Sequence, residues 1–205
     1  GVVDTQGLLD LITDQTALVC LNHVNNEVGA ISDVVMLADK IRARHPTVGI
    51  HVDAVQSLGK LSLKAFHDCA ITTASFSAHK VGGLQGIGCL YHKDSFPLSP
   101  LLLGGDQESG FRSGTLNMPG IISVGLRAES LLADPHWLKV SSELCGELYQ
   151  QLLSIDKVKV FTDRSDVHDP LLTRSKAVAP RATRSEANLC RAMRAPSFFL
   201  MGFGL

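Results

Sequence analysis

The chain has 205 residues, an apolar fraction of 45% and a formal net charge of −1. This composition is ordinary for a globular domain and gives no electrostatic reason to expect a nucleic acid or an anionic membrane as a partner. No apolar run approaches the ~20 residues that cross a bilayer, and no stretch resembles a secretory signal. The five cysteines form no C-x-x-C pair, which favours a reducing compartment. We therefore predict a cytoplasmic protein. Because the chain begins at Gly1, we expect it to be part of a longer product, in which a targeting segment could precede it.

Hydrophobic spacing divides the first half of the chain into alternating helices and strands. Asp4 or Thr5 is a candidate cap for the first helix, and the second helix carries apolar residues at i, i+3, i+4 and i+7 from Val34. Cys20 and Cys89 lie inside predicted strands and are expected to be buried. This alternation favours an α/β domain with a mostly parallel sheet and helices on both faces. The predicted elements are a helix over 6–13, a strand over 16–21, a helix from 32 to 46, and strands over 48–55, 71–78 and 86–92.

The second half begins with a glycine-rich polar loop over 101–117 and continues with helices predicted over 120–133 and 137–155. Residues 171–205 hold five arginines and one lysine against a single glutamate. That composition is typical of a loosely ordered segment or of an abnormal end to the coding sequence, and less so of an anion-binding or nucleic-acid-binding tail. The helix predicted over 137–155 has one apolar face, formed by Trp137, Val140, Leu144, Leu148, Leu152 and Ile155.

Polar residues follow three predicted strands at the point where each strand ends. They are the cluster 25–27, then Asp53 with Gln56, then the residues from Ser77 to Lys80. In parallel sheets, ligands bind outside the carboxyl ends of the strands. Three loops that converge on one edge therefore indicate a ligand site.

Two of these residues suit one kind of cofactor. If it is partly desolvated, Lys80 would have a lowered pKa and could attack a carbonyl group, and the carboxylate of Asp53, if it is buried, would require a cationic partner. Pyridoxal phosphate needs both groups, a lysine for covalent attachment and an acid that keeps its ring nitrogen protonated. Ser77 and His79 then suit its phosphate. Taken singly, each of these residue types more often serves a solvated turn, a helix cap or a structural contact.

Four segments in order carry a family resemblance. The sequence resembles the class V aminotransferase family of fold-type I pyridoxal-phosphate enzymes, and within it the NifS/IscS-type cysteine desulfurases, with selenocysteine lyase as a near relative. The resemblance implies a partial large domain over 1–135, a helix leading to a small domain over 136–170, and an atypical basic tail over 171–205, so that the fold is incomplete at both ends. The segments are HVNNEVG (23–29), HVDAVQSLGK (51–60), SFSAHKVGGLQGIGCLY (75–91) and GGDQESGFRSGTLN (104–117).

The resemblance implies a role for each matching residue. Lys80 matches the lysine that binds the cofactor covalently, and Asp53 matches the acid at the pyridine nitrogen. Thr115 resembles a threonine that reaches the phosphate in the neighbouring subunit, which implies a homodimer, and Arg112 is carried over only as a support residue. The remaining cofactor contacts implied by the resemblance are Asn26 and Gln56 at the ring and Ser77 and His79 at the phosphate.

The reaction implied by the resemblance converts L-cysteine to alanine. A protein thiolate takes the sulfur as a persulfide and passes it to an acceptor such as an iron–sulfur scaffold or a tRNA-thiolation protein. Two parts of the family pattern are not found: the N-terminal segment that stacks on the ring, and the C-terminal domain with its sulfur-accepting cysteine. Cys190 lacks the small-residue context of that nucleophile and is not assigned.

Three alternatives stay open at this point. Selenocysteine lyase, or another family member, would use the same cofactor core. A catalytically dead fragment would survive as a dimerisation or binding module. A metal site built from His51, Asp53 and His79 is disfavoured, because no further ligand has convincing spacing, and we predict no metal.

Overall fold

The computed structural model describes residues 2–133 and 136–155. Its centre is a four-stranded sheet in which the strands follow their chain order, β1-β2-β3-β4. The first three strands are parallel and β4 runs antiparallel to β3, which confirms the predicted α/β fold with a mostly parallel sheet. The strands are β1 (Leu18–Asn22), β2 (Gly49–Asp53), β3 (Thr73–Ser77) and β4 (Gly88–His92).

Five α-helices accompany the sheet in the described part of the chain, and their sequences explain where they begin. Asp4 accepts a hydrogen bond from the Gln6 backbone N–H, and Asp33 caps the second helix by accepting from that of Met36. Ser32, the predicted first residue of that helix, lies one position before this cap. The helices are α1 (Thr5–Leu11), α2 (Val34–Arg44), α3 (Ala65–Asp68), α4 (Met118–Ala133) and α5 (His136–Leu153).

The main core lies between the sheet and helices α1, α2 and α3. The predicted apolar face of α2 is confirmed, because all four of its residues are buried. Alternate residues of β1 and β2 bury against the same helices, as the two-residue repeat of a strand requires. The residues of the α2 face are Val34, Leu37, Ala38 and Ile41.

Two cysteines expected in the core are exposed. Cys20 lies between Val19 and Leu21 in β1, and because those two side chains enter the core, Cys20 points to the opposite face of the sheet. Cys89 lies on β4, which has only one neighbouring strand in the described sheet. Among the cysteines that the structure describes, Cys69, directly after α3, is buried.

Helices α4 and α5 match the two predicted C-terminal helices within two residues at their ends. The apolar face predicted for α5 is only partly buried. Leu152 is buried, but Val140, Leu144 and Ile155 are exposed, because the described part of the chain supplies no layer that covers them. The Trp137 side chain, residues 156–170 and the basic tail over 171–205 with Cys190 lie outside the described residues.

Candidate active site

The carboxyl ends of β1, β2 and β3 lie side by side. Asn22 pairs with Asp53, and Asp53 pairs with Ser75, in one continuous register across the three strands. Two backbone hydrogen bonds continue this alignment past the strand ends, from His23 N–H to the Asp53 carbonyl and from Ala54 N–H to the Ser75 carbonyl, each 3.0 Å long. The predicted convergence of polar loops on one sheet edge therefore holds for all three strands.

Lys80 is the last residue of a 3₁₀ turn, Ala78–Lys80, that follows β3 directly. The Val81 and Gly83 backbone N–H groups both donate to the Ala78 carbonyl, at 3.1 and 2.7 Å. Gly82 has φ +81°, a conformation that residues with a side chain rarely adopt. The glycines after Lys80 therefore allow the chain to reverse tightly and place a half-buried lysine beside the strand end.

Ser77 and His79 flank the start of this turn. The Ser77 side chain is fully buried, and its Oγ has no hydrogen-bond partner among residues 2–133 and 136–155. Burial, and to a smaller degree the positive charge of Lys80, lower the pKa of His79 below its usual value, which favours the neutral imidazole. A buried hydroxyl without a partner needs an acceptor or a donor from outside the described chain, and a phosphate group fits that requirement.

Asp53 ends β2 with an exposed carboxylate, and its Oδ1 accepts a hydrogen bond from the Val55 N–H at 2.9 Å. His51, two residues earlier on the same face, hydrogen-bonds Thr73 Oγ1 at 2.9 Å and Ser75 Oγ at 3.4 Å. Burial lowers the pKa of His51, and the charge of Asp53 opposes that shift. The face that carries Asp53 is therefore a polar surface formed by the side chains of two strands.

Gln56 and Asn26 lie in loops at the same edge, and each bonds within its own loop. Gln56 is half-buried and its Oε1 accepts from Lys60 Nζ at 3.5 Å. Asn26 is exposed and its Nδ2 donates to Glu27 Oε1 at 3.1 Å. Contact of these two amides with a cofactor ring stays a prediction.

Thr115 lies in the glycine-rich loop, where its side chain is exposed. The loop is held by its own polar groups: Ser113 Oγ donates to the Gly105 carbonyl at 2.5 Å, and Arg112 Nη1 donates to the Ser113 and Gly114 carbonyls at 3.2 and 3.3 Å. Arg112 thus supports the loop from within, while the predicted role of Thr115 in a neighbouring subunit stays a prediction.

Comparison with known proteins shows the family of the chain. Residues 1–175 match the model of the family described as Aminotransferase class-V. The chain belongs to this family. Among relatives, cysteine desulfurase 2 of Trichormus variabilis is 40% identical over 160 residues, which cover 74% of this chain and 39% of the relative.

Two solved structures of similar proteins extend the comparison. A NifS-like protein is 36% identical with a TM-score of 0.68, over 74% of this chain and 42% of that one. A structure of SspA in complex with cysteine is 34% identical with a TM-score of 0.56, over 62% of this chain and 37% of that one. The chain therefore spans about two fifths of the length of the class-V relatives it matches.

Two buried polar residues of this class-V domain escaped the interpretation of the sequence. His23 follows β1 and contacts Phe66, with ring centroids 5.4 Å apart; burial lowers its pKa to about 4, although the charge of Asp33 opposes the shift. Ser57 is fully buried. His23 Nδ1 and Ser57 Oγ have no hydrogen-bond partner in the described part of the chain. Both residues lie inside the quoted motifs, which was the only signal in the sequence that could have identified them.

Within residues 2–133 and 136–155, no three His, Cys, Asp or Glu side chains form a group that could hold a metal ion. His51 instead hydrogen-bonds Thr73 on β3. The pKa of His79 is lowered by burial and by the charge of Lys80 in the same turn. Across the same residues, no helix combines the length and apolar character that a membrane crossing requires.

Proposed function

We propose that this chain is the cofactor-binding core of a pyridoxal-phosphate-dependent cysteine desulfurase, which takes sulfur from L-cysteine and leaves L-alanine. One observation carries the proposal: a half-buried lysine and a carboxylate lie at neighbouring strand ends, beside a buried serine hydroxyl that lacks a partner among the described residues. Similarity to cysteine desulfurases and to a protein solved with cysteine supports the choice of substrate.

The residues of this chain divide the work of binding. Lys80 would hold the cofactor covalently, and Ser77 and neutral His79 would donate hydrogen bonds to its phosphate. Asp53 would face the pyridine nitrogen, where a carboxylate stabilises the protonated ring. The predicted ring contacts of Gln56 and Asn26 require both side chains to exchange the bonds that they make now. When bound, pyridoxal phosphate supplies a ring that accepts the electron pair released at the substrate α-carbon.

Lys80 has a second task once the amino acid has displaced it. Its freed amine would take the proton from the substrate α-carbon, and the surrounding turn would hold that amine close to the carbon. A protein cysteine thiolate would then attack the substrate sulfur, so that the S–S bond of a persulfide forms as the C–S bond breaks. The carbon would keep the bonding electron pair and take a proton to become the methyl group of alanine, and the persulfide sulfur would go to an acceptor such as an iron–sulfur scaffold. Cys69 is excluded from that task because it is buried and burial raises its pKa.

A second copy of the chain would complete the site by placing its Thr115 at the phosphate. Exposed apolar side chains support this homodimer, because α4 presents a stripe at i, i+4 and i+8 that is 51–61% exposed, and the adjoining loop adds two leucines that are 83–84% exposed. Large apolar side chains left exposed along one helix face are typical of an interface. The residues are Met118, Ile122 and Leu126 on α4, with Leu101 and Leu103 in the loop.

The proposal is tested by loading the purified chain with pyridoxal phosphate and fixing it with borohydride. We expect a visible absorbance band that borohydride abolishes, and a pyridoxyl label on Lys80 in peptide mass spectra. Lys80→Ala should lose both, whereas Lys40→Ala on the exposed side of α2 should keep both. A band that persists in Lys80→Ala would show that the attachment point lies elsewhere.

Sulfur release separates the enzyme from the binding module. We expect this chain alone to release little or no sulfide from L-cysteine, with selenocysteine offered in parallel to test the lyase alternative. Robust sulfide release that is lost in Cys190→Ser would assign the acceptor thiol to that residue and contradict the expectation. Cofactor binding without either release is the result expected of a cofactor-binding core whose acceptor thiol is unassigned, whereas the absence of cofactor binding as well would favour a binding or dimerisation module.

A further inference from the structure

Two side chains of α4 hold the segment that follows Lys80. Arg127 Nε donates a hydrogen bond to the Val81 carbonyl at 2.6 Å, and Ser123 Oγ accepts one from the Leu84 N–H at 3.0 Å. Ser123 and Arg127 are four residues apart, so they share one face of the helix. Both bonds therefore reach the segment from the same side, across 39 to 46 residues of sequence.

The backbone at Gly82 lies directly against the Arg127 side chain. A Cβ atom at that position would lie 3.0 Å from Arg127 Nε and 3.5 Å from its Cζ, so the absence of a side chain leaves the room that the guanidinium occupies. Val81 is 1% exposed and packs in a small apolar cluster with Val124 of α4. The hydrogen bond from Arg127 to Val81 is thus flanked by apolar packing between the same two segments.

The Val81 carbonyl that Arg127 binds belongs to the residue directly after Lys80. On its other side, the Val81 N–H donates to the Ala78 carbonyl at 3.1 Å. Both polar groups of Val81 are therefore fixed, one by the turn and one by α4. A guanidinium suits this task because it stays charged at all ordinary pH values and donates from a rigid plane, and charge-assisted bonds are shorter and stronger than neutral ones.

We propose that Arg127 is a positioning residue for Lys80: by holding the Val81 carbonyl, it fixes where the lysine amine lies at the strand end. The proposal rests on the proposed function, because it gives that amine a cofactor to meet. Placement to within a fraction of an ångström matters for an attacking amine. A loosened turn would leave Lys80 present and chemically intact but less often in position.

The first test needs no cofactor. Amide hydrogen exchange of the apo chain is compared for wild type, Arg127→Met and Arg127→Lys, with Arg44→Met at the exposed end of α2 as the matched control. We expect exchange at Val81, Gly83 and Leu84 to be about tenfold faster in Arg127→Met, the factor for losing one bond to a charged group. Arg127→Lys should recover part of the protection, and Arg44→Met should match wild type. Unchanged exchange in Arg127→Met would overturn the proposal.

The second test measures the amine itself. The rate at which pyridoxal phosphate and borohydride label Lys80 should fall about tenfold in Arg127→Met, with Arg127→Lys between it and wild type. Faster exchange with an unchanged labelling rate would overturn the positioning role. If wild type acquires no label on Lys80, the proposed function fails, while the exchange comparison still decides whether Arg127 holds the segment.

A smaller substitution guards against misfolding. If Arg127→Met raises exchange in β1 and β2 as well, the whole domain has loosened, and Ser123→Ala and Arg127→Lys decide instead. Ser123→Ala removes the acceptor for the Leu84 N–H and a bond from Ser123 Oγ to the Gly120 carbonyl within α4, so it should raise exchange at Leu84 and leave β1 unchanged. Val81 exchange and Lys80 labelling in Arg127→Lys that both match wild type would contradict the proposal.

Discussion

Asp53 and Ser75 are register partners on adjacent parallel strands. Register partners point to the same face of a sheet, and Ser77, two residues further along β3, points there as well. The carboxylate and the serine hydroxyl are therefore presented from one surface, close to the turn that contains Lys80. This relation is the geometric basis for proposing that both groups bind one small molecule.

The charge of Asp53 is open to direct test. Asp53→Asn keeps an oxygen that can accept from the Val55 N–H but cannot stabilise a protonated pyridine. We expect affinity for pyridoxal phosphate to fall by about tenfold to hundredfold, the cost of losing a charged hydrogen-bond partner. Titration of the visible absorbance with cofactor measures it. Asp14→Asn, at the amino end of β1, is the control, and equal affinity in the two variants would remove Asp53 from the site.

The proposed dimer makes a prediction about the α4 stripe. Ile122 is 55% exposed, and Ile122→Glu places a charge in the centre of that stripe. Because burial of an unpaired charge costs on the order of several kcal/mol, we expect the variant to sediment as a monomer at concentrations where wild type is dimeric. Leu11→Glu, on an α1 residue that is 78% exposed, should leave the dimer intact. Dimerisation that survives Ile122→Glu would place the interface elsewhere.

Buried His23 makes stability depend on pH in a defined window. Burial lowers its pKa to about 4 in the folded state, whereas an unfolded chain titrates it near ~6.5. A depressed histidine pKa means that protonation favours the unfolded chain. Its contribution is therefore fully present above about pH 6.5, is lost as the pH falls towards 4, and amounts to about 3 kcal/mol over that window.

The measurement is urea unfolding at several pH values. His51 and His79 also have lowered pKa values, so wild type should lose stability over the same window by more than His23 contributes. His23→Gln should flatten the profile between pH 6.5 and 4 by about 3 kcal/mol, whereas His67→Gln on the exposed side of α3 should keep the wild-type slope. Parallel profiles for wild type and His23→Gln would show that His23 titrates normally.

The sequence predicted the elements and the site edge better than it predicted burial. The α2 face from Val34 to Ile41 was confirmed because a 3.6-residue repeat determines which side of a helix is apolar. The prediction that Cys20 is buried was wrong, because an apolar run in a strand does not reveal which of its two faces is covered. The burial of the α5 face at Val140 and Leu144 was overestimated for a similar reason, since periodicity indicates an apolar surface but not what packs on it.

Contacts between distant segments were beyond the sequence. The sequence alone predicted that Asp53, Ser77 and Lys80 lie at one edge, because the position of strand ends depends only on parallel topology. The short 3₁₀ turn at Lys80 and the bond from Arg127 to Val81 depend on how α4 packs 46 residues later. No local pattern in either segment announces that pairing.

Two glycines in the loop after Lys80 isolate the contribution of that contact. Gly82 and Gly86 have φ +81° and +82°, so alanine at either position costs the same backbone strain of about 1–2 kcal/mol. They differ in what a Cβ would meet: Arg127 Nε at 3.0 Å for Gly82, and nothing within 4 Å for Gly86. Gly82→Ala must therefore also displace the guanidinium and weaken its bond to Val81.

We expect Gly82→Ala to lower the free energy of unfolding by about 1–2 kcal/mol more than Gly86→Ala does, as measured by urea denaturation. Combining each change with Arg127→Met tests the cause. In that background the displaced group is gone, so the difference between the two alanine variants should shrink towards zero. A difference that stays the same without the arginine would mean that Gly82 is required by the backbone turn alone, and that its proximity to α4 is incidental.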